Sequence, residues 1–393
     1  MIYMKIYDCI VIGGGASGLF FASKTNLGTR KGLILEATPR IGMKLIMSGG
    51  GHCNITHAGA IKDFVPCYGE SGKAIRKILY SHSNLELIEF LESNGVPCEA
   101  EEDGRVFPKS KKAMDVQAML MRKAKENGFD IKAETKVSTI SKTPDGMWNI
   151  GGEYIARNIV IATGGCSYPK TGSDGSMFDV LRRDLDIAIT PLSPALAPIE
   201  IMNNPYSELA GLSFDARVKY GKKSSRGPLL FTHKGLSGPA IINISGDIII
   251  GDEITINYLP ASNFEEVFRT LQDLAQGSKA NLGTLIAKAF SLPKSFSQIV
   301  ASQSENSTKK AARILTEDRL TVSDTGSFSN AMVTRGGVSL SEVDLTGMEL
   351  KRHRGAFVIG EALDVDGISG GYNLQFAYSS ASVASVRILA SLE

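Results

Sequence analysis

Runs of consecutive apolar and β-branched residues alternate along this chain with stretches of helical period, a pattern that predicts an α/β architecture. Residues 7–12 form such a run, the mark of a strand buried on both faces in a parallel sheet, and residues 19–23 continue apolar as a helix. Residues 32–35 repeat the buried-strand pattern. Helical spacing recurs at 73–81, 84–93 and 113–127, the last closed by Gly128 as a C-cap. Residues 131–140 and 146–150 predict antiparallel strands turning at Pro144-Asp145-Gly146, and 154–162 returns to the parallel type.

From about Thr190 the pattern changes. Prolines at 191, 194, 198 and 205 precede short alternating segments at 216–220 and 247–259, which predict an inserted β-rich region. Residues 264–274, 282–290 and 309–315 then carry helical spacing, separated by Gly277, Pro293 and the serine-rich 302–307. Residues 357–361 read again as a buried strand, and 379–392 close the chain as a helix.

Between the first strand and the first helix stands Gly13-Gly14-Gly15-Ala16-Ser17-Gly18, a G-x-G-x-x-G turn. Gly13 permits the tight turn, Gly15 lets a phosphate reach the backbone, and Gly18 lets the helix pack on the strand. The negative charge of a dinucleotide then lies at the helix N-terminus. Glu36 ends the next strand where a ribose 2′-hydroxyl needs an acceptor, and a carboxylate there disfavours the 2′-phosphate of NADP. FAD and NAD both fit this half. Ser48-Gly49-Gly50-Gly51-His52-Cys53-Asn54 has too many glycines for a regular element and reads as a second ligand-contacting loop.

A further acid follows the late strand, in Gly360-Glu361-Ala362, and paired glycines at 370 and 371 then open a helix at Tyr372-Asn373-Leu374. In an extended dinucleotide that acid, with Asp364 and Asp366 nearby, suits ribityl hydroxyls, while the helix start faces the pyrimidine side of a flavin and stabilises its charge when reduced. These segments resemble the bacterial FAD-dependent oxidoreductases that include aminoacetone oxidase and a reductase of dehydro bile acids. Beyond the motifs already quoted, the resemblance rests on Gly104-Arg105-Val106-Phe107-Pro108, on Ala162-Thr163-Gly164-Gly165-Cys166-Ser167-Tyr168-Pro169-Lys170-Thr171-Gly172-Ser173, on Leu229-Leu230-Phe231-Thr232-His233-Lys234-Gly235-Leu236-Ser237-Gly238-Pro239, and on Val333-Thr334-Arg335-Gly336-Gly337-Val338.

The resemblance implies a Rossmann-like FAD domain, a parallel sheet with an antiparallel meander, formed by residues 1–189 and 341–393. Inserted in it are a β-barrel-like domain (190–260 and 320–340) and a short helical one (261–319). It extends the cofactor-binding set from Gly13, Gly15, Ala16, Ser17, Gly18 and Glu36 to Ala37, Lys44 and the loop residues Ser48, Gly49, Gly50, Gly51, Cys53 and Asn54. Val137, Ala162, Thr163, Gly164 and Tyr168 join from the middle, and Gly360, Glu361, Gly371, Tyr372, Asn373 and Leu374 from the end. The family continues its glycine loop with Arg where this chain has His52, which suits a weaker or pH-sensitive contact.

Composition narrows the partners. Forty-three basic against forty-one acidic residues leave a net charge of +2 over 393 residues, which gives no electrostatic case for nucleic acid or an anionic membrane. No stretch reaches the length of a membrane helix and no leader precedes the glycine turn, so the expected location is the cytoplasm. Five cysteines never spaced C-x-x-C exclude a dithiol reductase site, and no His and Cys cluster argues for a metal. Without a second G-x-G-x-x-G unit, hydride meets the flavin directly, from a small organic substrate or a transiently bound NAD(P)H. Tyr168, His233 and Arg335 are the candidate catalytic residues, with Lys170, Thr232 and Tyr372 beside them; Cys53 and Cys166 suit buried packing. Amine or ketone oxidation and enone reduction both stay open, as does a non-catalytic or redox-sensing flavoprotein that binds a partner protein or RNA. Oligomeric state is encoded in no pattern.

Overall fold

The computed structural model describes residues 5–392; the terminal residues 1–4 and 393 of the expected domains lie outside that range. The chain forms two compact units, one of residues up to Ser193 and from Val333 onward, the other of Pro194–Met332.

In the first unit, Lys5–Ile12 pairs in parallel with Gly32–Leu35 on one side and Tyr154–Ile161 on the other. Phe129–Lys132 and Ala356–Val358 extend the sheet in parallel at its two sides. Four of the five parallel strands are nearly continuous apolar runs because both faces are covered: Ile10, Val11, Ile34, Ile159, Val160 and Val358 are wholly buried, whereas the edge strand Phe129–Lys132 exposes Asp130 and Lys132. The hairpin Ile140–Lys142 and Trp148–Ile150 joins the same sheet antiparallel through Tyr154–Ile161. The α/β class, with a parallel sheet and an antiparallel meander, is therefore observed. The expected long strand 131–140 is not: Phe129–Lys132 follows its parallel partner, and the chain then leaves the sheet. Glu134, at φ 52°, and Thr135 donate instead to the carbonyls of Thr38 and Glu36. That diversion brings the segment of Val137 beside the end of the second strand.

The second unit is a closed six-stranded barrel whose strands run Ile199–Ile201, Gly235–Ser237, Lys223–Phe231, Ser213–Tyr220, Glu253–Asn257 and Asp318–Asp324 around the ring. Helices Phe264–Gly277, Leu282–Phe290, Lys294–Gln303 and Thr308–Glu317 stand between the last two strands. They share one core with the barrel, in which Phe231, Tyr258 and Phe296 pack ring against ring, so barrel and helices form one body here. The chain re-enters the first unit at Val333, earlier than 341, because Thr334 is hydrogen-bonded into that unit.

Candidate functional site

The opening strand delivers the glycine turn to the start of helix Ala16–Lys24. Gly13, at φ 108°, lies under Ala162, and Gly18 lies against Gly13 itself: a Cβ on Gly18 would stand 2.1 Å from the Gly13 carbonyl oxygen. Gly15 is different. A Cβ there would meet nothing within 4 Å, so the backbone faces open space at the N-terminus of the helix. Leu19 N–H donates to the Gly15 carbonyl, which leaves the amides of Ala16, Ser17 and Gly18 as the first-turn donors, and no side chain caps them. An open cradle with unspent amides fits a diphosphate.

Glu36 is only 7% exposed. Its Oε2 accepts the Gly14 N–H at 2.9 Å, and its Oε1 accepts the Thr38 N–H at 2.8 Å and the Thr38 hydroxyl at 2.7 Å. The carboxylate is thus fixed across the turn with lone pairs left for a ribose. Ala37 follows it at the surface, and Val137 is buried on the neighbouring segment.

The second loop is built as foreseen from unusual backbone. Gly49 and Gly50 take φ 57° and 66° within a short turn after helix Met43–Met47, and Gly50, like Gly15, has open space where a Cβ would stand. Ser48 closes it, its carbonyl accepting the Cys53 N–H at 2.9 Å. Burial pushes the Cys53 thiol up to about 12, and burial followed by the Glu361 carboxylate raises Cys166, so both remain protonated thiols suited to packing. His52 is exposed, and Asn54 links this loop to the chain end, its amide bridging the Thr56 carbonyl and the Gly371 N–H.

At the far end, Gly360 at φ 64° abuts Ser17 of the opening helix, where a Cβ would stand 2.7 Å from the Ser17 side chain. Glu361 follows. Lys44 Nζ lies 2.7 and 3.0 Å from its two oxygens, and the Thr334 N–H donates to Oε1 at 2.8 Å. Lys44 therefore holds the second acid. Thr334, buried and assigned no role by the sequence, also accepts the Cys166 and Ser167 N–H groups on its Oγ1 at 2.7 and 3.0 Å, which docks the turn after Ala162-Thr163-Gly164 beside Glu361. Tyr168 ends that turn at φ 56°, half-buried, with exposed Lys170 beyond it.

Arg335 comes next along the chain. Its guanidinium pairs with Asp366, Nη2 to Oδ2 at 3.0 Å and Nε to Oδ2 at 3.2 Å, so Asp366 orients the arginine. Tyr372 is 9% exposed, its ring stacked 5.7 Å from His57 and edge-on 5.0 Å from Phe64. The ring belongs to this cluster, and what the start of helix Tyr372–Leu392 presents is main-chain N–H of Tyr372, Asn373 and Leu374. Asn373 steadies that start by bonding both the N–H and the carbonyl of Gly367. In the second unit, Thr232 and His233 occupy the turn between two barrel strands; His233 is exposed and its carbonyl accepts from Asn204. No metal-binding cluster and no helix long and apolar enough to cross a membrane occur among the described residues.

Comparison with known proteins agrees with this geometry. The family described as HI0933-like protein Rossmann domain matches residues 7–387. The chain is similar to the 3-dehydro-bile acid delta(4,6)-reductase of Clostridium scindens, 29% identical over 95% of this chain and 97% of that protein. It is as similar to the ribosomal RNA dihydrouridine synthase of Escherichia coli, 29% identical over 96% and 97%. Among solved structures, the 3-ketosteroid delta1-dehydrogenase of Sterolibacterium denitrificans shares its fold with a TM-score of 0.53 at 12% identity, over 98% of this chain and all of that one. The 3-ketosteroid-delta4-(5alpha)-dehydrogenase of Rhodococcus jostii does so with 0.51 at 14%, over 97% of each. With glycine turn, second loop and late acid segment assembled in one unit, and the family match running from the first strand into the last helix, the chain belongs to the HI0933-like Rossmann family.

Proposed function

We propose that the chain is an FAD-dependent oxidoreductase that delivers hydride to a carbon–carbon double bond conjugated with a carbonyl. One observation carries the cofactor: the open cradle at Gly15 and the carboxylate of Glu361, held by Lys44 and Thr334, lie at the two ends of one site built from the two ends of the chain. FAD, when bound, supplies two-electron hydride chemistry. The amides of Ala16, Ser17 and Gly18 would hold its diphosphate, Glu36 its ribose and Glu361 its ribityl hydroxyls. The amides at Tyr372, Asn373 and Leu374 would face the pyrimidine side, where a helix N-terminus favours negative charge by roughly 0.3 to 1 kcal/mol or more.

On the substrate side, Arg335, oriented by Asp366, would take the carbonyl oxygen in a charge-assisted hydrogen bond and so draw electrons from the double bond. Tyr168, at the end of the turn docked on Thr334, would give a proton to the neighbouring carbon. For His233 the proposal rests on sequence alone, and His233→Gln tests it by its own effect on turnover. The direction of reaction is drawn from the two relatives, one named for reducing double bonds and the other for making dihydrouridine, a saturated base. NAD(P)H is proposed as the electron donor and the cytoplasm as the location.

A small conjugated ketone is the first reading of the substrate, favoured by the near-zero net charge. The relative named for ribosomal RNA favours a second, a uridine in RNA, against the expectation of no nucleic acid. Turnover with NADH or NADPH, with a 4-en-3-one steroid acid in one arm and ribosomal RNA in the other, separates them by which product gains two hydrogens. Consumption of the nicotinamide in neither arm would sink both readings and favour the non-catalytic alternative.

A further inference from the structure

Among the described residues, the buried side-chain polar atoms without a hydrogen-bond partner are Trp148 Nε1, Ser382 Oγ and Ser173 Oγ. Trp148 lies in the meander, under Lys142, and Ser382 lies inside the C-terminal helix. Ser173 lies in the site. The residue is 6% exposed, and its Oγ stands 3.0 Å from where a Cβ on Gly164 would be; that same point is 3.8 Å from Glu361 Oε2. Gly172, at φ 96°, has its own Cβ position 3.1 Å from Glu36 Oε1 and 3.0 Å from the Thr38 methyl. Residues 172 and 173 therefore run from the first acid toward the second, along the Ala162-Thr163-Gly164 turn. The next residue, Asp174, is held by Lys136 at 2.7 Å, which ties the segment to that of Val137.

Folding does not ordinarily leave a hydroxyl buried and unsatisfied, since a lost hydrogen bond is costly and nearly all buried polar groups find a partner. Here the orphan points at glycine backbone between two carboxylates already assigned to a dinucleotide. We infer that Ser173 is a cofactor-binding residue whose hydroxyl donates a hydrogen bond to a ribose or diphosphate oxygen in the adenosine diphosphate half of FAD. The inference rests on the FAD site proposed above. It adds a side-chain donor on the side of the Ala162-Thr163-Gly164 turn, across from the amides of the opening helix.

The test is Ser173→Ala in the full chain freed of flavin, titrated with FAD and separately with ADP, with thermal unfolding followed in the absence of either. A hydrogen bond to a charged or polar ligand group predicts about ten-fold weaker binding of FAD, and of ADP by a similar factor. Unfolding without ligand should occur at the same or a higher temperature, because the variant removes a buried hydroxyl that has no protein partner. An unchanged affinity for both ligands, or a clear loss of stability without ligand, overturns the inference and leaves the FAD site standing. A wild-type chain that binds neither FAD nor ADP overturns both together.

Discussion

Gly15 and Gly18 of the opening turn predict opposite phenotypes when replaced by alanine. In Gly18→Ala the new methyl would stand 2.1 Å from the Gly13 carbonyl oxygen, 3.2 Å from a Val11 methyl and 3.3 Å from the Ala162 Cβ. The first neighbour is backbone of the turn itself, so strand and helix must part by more than an ångström. Overpacking costs roughly 1–3 kcal/mol, with a rigid neighbour at the upper end, and the better helix propensity of alanine returns about 1 kcal/mol at most. A net loss of about 2 kcal/mol lowers the melting temperature by roughly 4–8 °C in a unit of this size. Gly15→Ala meets nothing within 4 Å and its φ of −78° suits alanine. A weaker N-cap and a less flexible unfolded chain nearly cancel there, each worth well under about 1 kcal/mol. Its methyl fills the cradle, however, and displaces the diphosphate from one or two charge-assisted amide bonds, about 3 kcal/mol or a hundred-fold in FAD affinity. Melting of both variants without flavin, so that ligand stabilisation does not mask the fold, together with FAD titration, checks the pair. A Gly15→Ala protein that binds FAD like the parent, or a Gly18→Ala protein of full stability, would refute the reading of this turn.

Thr334→Val keeps the shape but strips the acceptor from the Cys166 and Ser167 amides, so stability measured by urea should fall by about 2–4 kcal/mol; a loss under about 0.5 kcal/mol would show that the hydroxyl is not what docks the turn. Asp366→Asn should raise KM for a conjugated ketone more than it lowers kcat, with FAD affinity unchanged, because it frees Arg335 from its orienting partner; equal kinetics would remove Arg335 from the substrate site. Burial alone would raise the Glu86 carboxyl, but hydrogen bonds from Lys24, Tyr378 and His82 hold it below the usual range. The folded form therefore binds its proton later than the unfolded chain, so the stability it lends is present above about pH 4.3 and disappears as pH falls through the depressed value. Glu86→Gln should flatten the acid limb of the stability profile, and an unaltered limb would contradict that sign.

Much of the first unit was legible because its signals are local. Strand, glycine turn, helix and Glu36 lie within the first 36 residues, and the central parallel strands needed only their apolar runs, whereas the edge strand Phe129–Lys132, which has none, was misplaced toward 131–140. What escaped the sequence was decided at long range or hidden by residue type. Helix Lys294–Gln303 was missed because Pro293 looked like a separator, whereas it occupies the N-cap that precedes the first turn. The helix that the paired glycines open at Tyr372 and the one expected over 379–392 are a single helix, a continuity hidden because serines at 379, 380, 382 and 385 are buried in it and blur the apolar period. Thr334 meets Cys166 across 168 positions and Lys44 meets Glu361 across 317, and no local pattern encodes such pairs. Arg335 was legible as a candidate, but its pairing with Asp366, 31 positions on, was not, because sequence proximity does not reveal side-chain direction.

The central claim, hydride delivery from bound FAD to a conjugated double bond, is tested most directly by one anaerobic rapid-mixing experiment. The protein is reduced beforehand, mixed with a 4-en-3-one steroid acid, with ribosomal RNA, or with buffer, and the flavin absorbance is followed. The account predicts that oxidised flavin returns with a conjugated acceptor, at a rate that rises with acceptor concentration, while the buffer control stays reduced. A protein that carries no flavin, or one whose reduced flavin is reoxidised by neither acceptor and only by air, would contradict it.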